Sequence, residues 1–379
     1  MIVRLGDYIQ EYSVRNRDDE EIPVYSVTNK QGFCKDYFGK EVASKDKTTY
    51  KIVPRGCFAY NPSRINVGSV DWQRNEKKVI VSPLYNVFSV SSEVNRQFLY
   101  YYLKSDKTVH YIKNIARGSV RDNLKLDMLY EFKIDLPDKK EQERTATILD
   151  KVCELIGKHN QQLYMLDELV KSRYIELFSG KKYNYVKTSD VCDFITKGTT
   201  PRSDEIFEEY EAGRVPYLKV YNLSLTGALL FDDAPQYINI STHEEKLARS
   251  KVYPNDVLMN IVGPPLGKFA LVTNEFDEWN INQAIAIFRP REKVIPKFLM
   301  AALMQPDVLQ PFLQQAVGIR QLNLSLEQCR NLEIPLPPIE LQQQFATFVE
   351  EVDKSKSAIQ KSLDELEILK KSLMQKYFG

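Results

Sequence analysis

The chain has 379 residues, 43% hydrophobic and 27% charged, with a formal net charge of +1. That length suits two or three domains, each with its own core. No stretch approaches 18 consecutive apolar residues, so no membrane-spanning helix is expected, and the balanced charge excludes a strongly basic polyanion-binding chain.

The opening MIVRLGDYIQ lacks an apolar core, so no signal peptide is expected. Five scattered cysteines (Cys34, Cys57, Cys153, Cys192 and Cys329) form no CxxC pair, which points to reduced thiols and a cytoplasmic location. The net charge hides an asymmetry. Residues 1–140 hold 24 Lys+Arg against 18 Asp+Glu, a difference of +6, and residues 181–340 hold 17 against 20, a difference of −3.

In chain order, IPVYSV (22–27) reads as a strand, and KKVIVSPLYNVFSV (77–90) alternates as half-buried strands do. Residues 94–116 read as helical segments that end near Gly118. Asp138 and Glu141, just after Pro137, then form an N-terminal helix signature. Apolar residues follow at Ile148, Val152, Leu155, Ile156, Leu163, Leu166, Leu169, Val170 and Leu177, a helical stripe about 40 residues long. The order then repeats. VPYLKV (215–220) resembles the early strand, and EWNINQAIAIFRP (278–290) alternates. Residues 294–317 read as helical, and Pro337-Pro338 with Glu340 opens a second long helix. In that helix Val352, Ile359, Leu366 and Leu373 recur every seven residues, a heptad seam.

A shift of 200 residues superposes the two halves. From Val94/Val294 to Ser179/Gly379 no gap is needed, and 22 of those 86 positions are identical. The identities cluster at Gly118/Gly318, Asn123/Asn323 and Leu124/Leu324, and again where Ile134, Leu136, Pro137 and Gln142 match Ile334, Leu336, Pro337 and Gln342. Two copies at such a long period mean a duplicated unit, not a solenoid. The expected fold is α+β: two mixed α/β domains in a pseudo-two-fold arrangement, separated by two long antiparallel coiled-coil helices. The expected boundaries are 1–137 and 181–337 for the domains, 138–180 for a central spacer helix and 338–379 for a C-terminal one.

Catalytic motifs are scarce. His110, His159 and His243 match no metal-ligand spacing, and there is no GxGxxG. GPPLGKF (263–269) falls one residue short of a P-loop and reads as a turn with a basic tip. YNPSR (60–64) lacks the second proline and the aromatic of an adenine methyltransferase motif, and it too reads as a turn. What remains is polar loop material carrying side chains that read base edges and hold phosphates. The candidate DNA contacts are Arg15, Arg17, Asn29, Lys30, Arg64, Arg117 and Arg121 in the first half. In the second half they are Lys197, Thr199, Thr200, Arg202, Lys219, Tyr221, Lys268, Arg320 and Gln321.

The whole chain resembles the specificity subunit of a type I restriction–modification system. The resemblance rests on GIRQLNLSLEQCRNLEIPLPPIELQQQF (318–345), its weaker copy GSVRDNLKLDMLYEFKIDLPDKKEQERT (118–145), and TKGTTP (196–201). The first copy departs from the pattern, with Asp135 and Asp138 where the second has prolines. The resemblance implies two target recognition domains, each reading half of a bipartite asymmetric sequence in double-stranded DNA. It implies helices that space the domains and dock two methyltransferase subunits. This chain would carry no catalytic, cofactor or metal site. S-adenosylmethionine would sit on the methyltransferases, and ATP on a separate motor-nuclease subunit. A stand-alone DNA adenine methyltransferase and a non-DNA coiled-coil adaptor remain as alternatives.

Overall fold

The computed structural model describes residues 1–35, 46–116, 123–318 and 321–379. The chain divides into two compact units. One comprises Met1–Asn160 with Gln360–Gly379, and the other Gln161–Ile359. Each unit therefore contains one lobe and a piece of both long helices, so the division cuts across the four-part organisation expected above.

In the first unit a four-stranded antiparallel sheet runs in the order Ile9–Glu11, Asn86–Val90, Phe58–Tyr60, Val70–Trp72. In the second the order is Cys192–Lys197, Ile285–Pro290, Val257–Asn260, Phe269–Leu271. The topology is the same, and the last three strands in each order correspond through the shift of about 200 residues. Three shorter helices follow each sheet: Arg96–Lys104, Asp106–Ala116 and Leu126–Tyr130 in one unit, and Pro296–Leu303, Pro306–Leu313 and Leu326–Asn331 in the other. The segments read as helical at 94–116 and 294–317 thus each form two helices. Asp106 and Pro306 open the second of each pair.

The resemblance between IPVYSV and VPYLKV is real at the level of strand pairing. Val24 forms a parallel bridge with Ile80, and Tyr217 pairs in parallel with Asn280. These are equivalent positions, each following a proline (Pro23 and Pro216).

The long helices span Lys139–Phe178 and Ile339–Phe378. The Asp138 carboxylate accepts the Glu141 backbone N–H at 2.9 Å, which caps the first helix as its sequence signature requires. The matched glutamines then lock each helix start to its lobe. Gln142 accepts the Asn95 N–H at 2.7 Å and donates to the carbonyls of Glu93 and Pro137. Gln342 accepts the Ile295 N–H at 2.9 Å and donates to the carbonyls of Lys293 and Pro337. Both side chains are buried. Gln342→Leu would strand a buried N–H and weaken two carbonyls. The expected loss is about 2–4 kcal/mol, from about 1–3 kcal/mol for each polar group left unpaired. Thermal unfolding of the full chain measures it, and an unchanged midpoint would show that water replaces the amide.

Within each unit the helix segments pack against one another. In the first, Ala146 and Leu149 share a core with Phe378, and Leu373, Met374 and Tyr377 pack at its edge. In the second, Tyr174, Leu177 and Phe178 share a core with Phe345 and Val349. The Arg173 guanidinium lies over the Phe348 ring, and Lys356 is ion-paired with Asp167. As residue numbers rise on one helix, those of its partners fall, so the packed segments in this unit are antiparallel. The apolar stripe differs from its sequence reading at Leu155 and Leu169, which are exposed. Tyr174 and Phe178, absent from that reading, supply much of the contact: their rings meet Phe345 at 5.7 Å between centroids in edge-on geometry. Among the described residues no helix is long and apolar enough to cross a membrane.

Candidate nucleic-acid interface

The second unit brings its polar loops to one edge of its four-stranded sheet. Lys197 pairs with Ala286, and Asn260 with Ile285, so the loops after Lys197, after Asn260 and before Ile285 leave the same side. The strand Arg214–Leu218 delivers a fourth loop there, because Leu218 pairs with Ile281 and accepts the Asn282 N–H at 3.1 Å. A fifth arrives through Asn323, which bridges Val262, and Leu322, whose carbonyl accepts the Gly263 N–H at 3.0 Å.

Glycine is required where two of these loops cross. Gly198 donates its N–H to the Ile285 carbonyl, and a Cβ on it would fall 2.2 Å from the carbonyl oxygens of Ile281 and Asn282. Beyond it, the Tyr217 hydroxyl donates to the Thr199 carbonyl at 3.2 Å. Burial raises the Tyr217 phenol well above its ordinary value and keeps that donor protonated. The Arg249 guanidinium donates to the Thr199 hydroxyl at 3.3 and 3.2 Å. Lys197, Thr199, Thr200, Lys219, Tyr221, Lys268 and Gln321 therefore belong to loops of one rim. Lys197, Thr200, Tyr221 and Gln321 are exposed there, whereas Thr199, Lys219 and Lys268 are half-buried. Arg202 lies further along the first loop and is paired with Asp204 at 3.2 Å.

The first unit uses the matching edge. Tyr60 pairs with Asn86 and Val70, so residues 61–69 connect two strands at that edge and carry Arg64, which is exposed. Asn61 closes the local turn by accepting from the Ser63 N–H and hydroxyl, as the turn reading of YNPSR required. Leu124 donates its N–H to the Pro62 carbonyl, and the Lys104 ammonium donates to the Asn29 carbonyl at 2.7 Å. The Asn29 side-chain oxygen lies against Gly68, so the Asn29–Lys30 turn abuts the 61–69 loop. Arg15 and Arg17 lie on an extended segment whose backbone bonds to Tyr50 and Ile52, and Arg15 bridges Lys51, which pairs with Val81. Arg117, Arg121 and Arg320 lie outside the described residues.

Several rim residues were invisible in the sequence. Lys104 lies in a segment that reads only as helical and Arg249 in one without a motif, and the fold carries both to the loops. Burial is the main influence lowering the Lys104 ammonium below its ordinary value, although Asp71 opposes it. Asn222, Asn260 and Asn282 carried no recognisable spacing. One histidine belongs to a charged cluster. Ligand-type atoms of His243, Glu244 and Glu278 lie within 4.8 Å of one another, though nothing in the spacing announced it. The Lys251 ammonium reaches Glu244 at 2.6 Å and Glu278 at 3.3 Å, so the cluster already contains its own cation.

A family model described as the type I restriction modification DNA specificity domain matches residues 6–165 and again 180–368. The type I restriction enzyme MjaVIII specificity subunit of Methanocaldococcus jannaschii is 22% identical over 400 aligned positions, spanning 98% of this chain and 90% of that protein. The EcoBI specificity subunit of Escherichia coli is 31% identical over 135 residues, which is 34% of this chain and 28% of that protein. Among solved structures, the type I restriction-modification S subunit from M. genitalium aligns with a TM-score of 0.59 at 16% identity, covering 100% of this chain and 96% of that one. A chain from a structure described as showing complex assembly and conformational transition of the type I R-M system aligns with a TM-score of 0.56 at 18% identity, covering 100% and 97%.

Proposed function

Because the chain belongs to the type I restriction modification DNA specificity domain family, we propose that it is the sequence-reading subunit of a type I restriction–modification complex, working in the cytoplasm. Each lobe reads one half of a bipartite, asymmetric site in double-stranded DNA, and the two long helices set the gap. The observation that carries this reading is the rim. Two sheets of identical topology each direct polar loops to the matching edge, with lysine, arginine, asparagine and glutamine side chains in those loops. Such side chains pair with base edges in the major groove and with phosphates.

The chain works with two methyltransferase subunits that hold S-adenosylmethionine and methylate adenine, and with a motor-nuclease subunit that uses ATP. Catalysis is theirs. With a net charge of only +1, this subunit relies on its partners for much of the phosphate grip. The contacts fall to Asn29, Lys30 and Arg64 in the first lobe, and to Lys197, Thr200, Lys219, Tyr221, Lys268 and Gln321 in the second. Arg15, Arg17, Thr199, Arg202, Arg117, Arg121 and Arg320 are further contacts to test.

Methylome sequencing of a host expressing the chain with its cognate methyltransferase tests this directly. A split motif with a fixed gap is expected, and no methylation from the chain alone. An alanine at Arg64 or Lys197 should cost about 1–3 kcal/mol at one motif position if that side chain pairs with a base. A loss shared by all sequences marks a phosphate contact. Methylation by the isolated chain, or an unsplit motif, would reject the reading.

A further inference from the structure

Two asparagines of the second unit are wholly buried, and each binds a rim loop at two points. Asn222 accepts the backbone N–H of Lys219 at 2.9 Å and donates to the Leu230 carbonyl at 3.0 Å. Asn260 accepts the backbone N–H of Lys268 at 2.7 Å and donates to the Pro265 carbonyl at 2.8 Å. Two of the rim lysines thus have their main chain held from beneath by a buried amide. One primary amide offers a donor and an acceptor at a fixed separation, and in a dry interior neither bond is readily exchanged for water. The loops are also tied to each other, because Ser224 and Phe269 exchange both backbone hydrogen bonds. Phe269 directly follows Lys268, so the two lysines share one rigid support.

In the first unit Tyr60, which is equally buried, takes the sheet place of Met259 rather than that of Asn260, and so lies on the other face of its strand. Its hydroxyl donates to the Leu124 carbonyl at 3.1 Å and accepts from Asn86 at 2.9 Å.

We propose that Asn222 and Asn260 are positioning residues for sequence selectivity. Without touching DNA, they fix where Lys219 and Lys268 meet it, and so set the base preference of the second half-site. A loosened loop still carries its lysine charge and still attracts phosphate, but it no longer holds the ammonium at one base edge. Affinity and selectivity should separate when the amide is lost. This inference rests on the reading that the second rim contacts DNA.

The test uses the full chain expressed with its methyltransferase and compares methylomes for Asn222→Ala, Asn260→Ala, Asn260→Ser, Lys219→Ala and Lys268→Ala. The lysine variants are expected to alter only the second half-site. The asparagine variants are expected to keep the first half-site and the gap, while preference at one or more positions of the second relaxes about tenfold, the scale of a single mismatched pair. Asn260→Ser should recover part of that preference, since a hydroxyl still accepts from Lys268. Co-purification with the methyltransferase verifies folding, and if an alanine variant fails it, the serine variant is scored by the same readout. An asparagine variant that keeps the original motif undegraded, at full or uniformly reduced methylation, overturns the inference even when Lys268→Ala changes the second half-site. If neither lysine variant affects that half-site, it is the assignment of the rim to DNA that fails.

Discussion

Inserting four residues into each long helix is expected to leave both halves of the methylated motif unchanged and to lengthen the gap between them by about two base pairs. The arithmetic is direct: about 6 Å of added helix at 1.5 Å per residue, against about 3.4 Å per base pair along one strand. Both helices must be lengthened together, because the second unit packs them side by side through Arg173 with Phe348 and Asp167 with Lys356. An insertion in one alone would shift those pairs out of register. The insertion belongs at facing points of the two helices, near Gln161 and Gln360, where the chain passes from one unit to the other and the residues are polar. Methylome sequencing reads the outcome. New half-sites, or an unchanged gap in a folded and active complex, would reject the helices as the spacing element.

Exchange of the second lobe is the other large effect. Replacing residues 181–317 with the corresponding segment of a relative of different specificity should rewrite one half-site and spare the other. The structure refines the cut. Leu322 and Asn323 bond to Gly263 and Val262, so an exchange carried through to residue 325 keeps those loops with their own partners. The incoming strand at 184–187 then pairs with the resident Glu333–Leu336, and it must bring an apolar residue at 186, because Val186 packs on the core that holds Ile334. Changes in both half-sites would mean that the lobes do not read independently.

The sequence announced what the scaffold needs twice. Ile-x-Leu-Pro followed by glutamine recurs because the same buried amide must satisfy the same three backbone groups in both copies. Heptad spacing disclosed the second helix because its apolar seam must face a partner, and Val352 is indeed buried. The weak match of IPVYSV with VPYLKV was legible only because Pro23 and Pro216 precede residues with the same parallel pairing. The site was less legible. Side-chain type suggested Lys219 and Lys268, but their proximity comes from strand ends about 50 residues apart in sequence. Asn222 and Asn260 resemble ordinary surface asparagines until burial and two-point bonding set them apart. Local patterns report a residue's neighbours along the chain, whereas a rim built from five loops is defined by contacts across it.

The paired glutamine sockets also bear on how such a chain changes over generations. Genetic crossovers between the two matching segments, or with those of another family member, would join strand, proline and helix in frame at equivalent points of the fold. Recombination there reshuffles whole reading surfaces while every junction it creates is one the protein already folds.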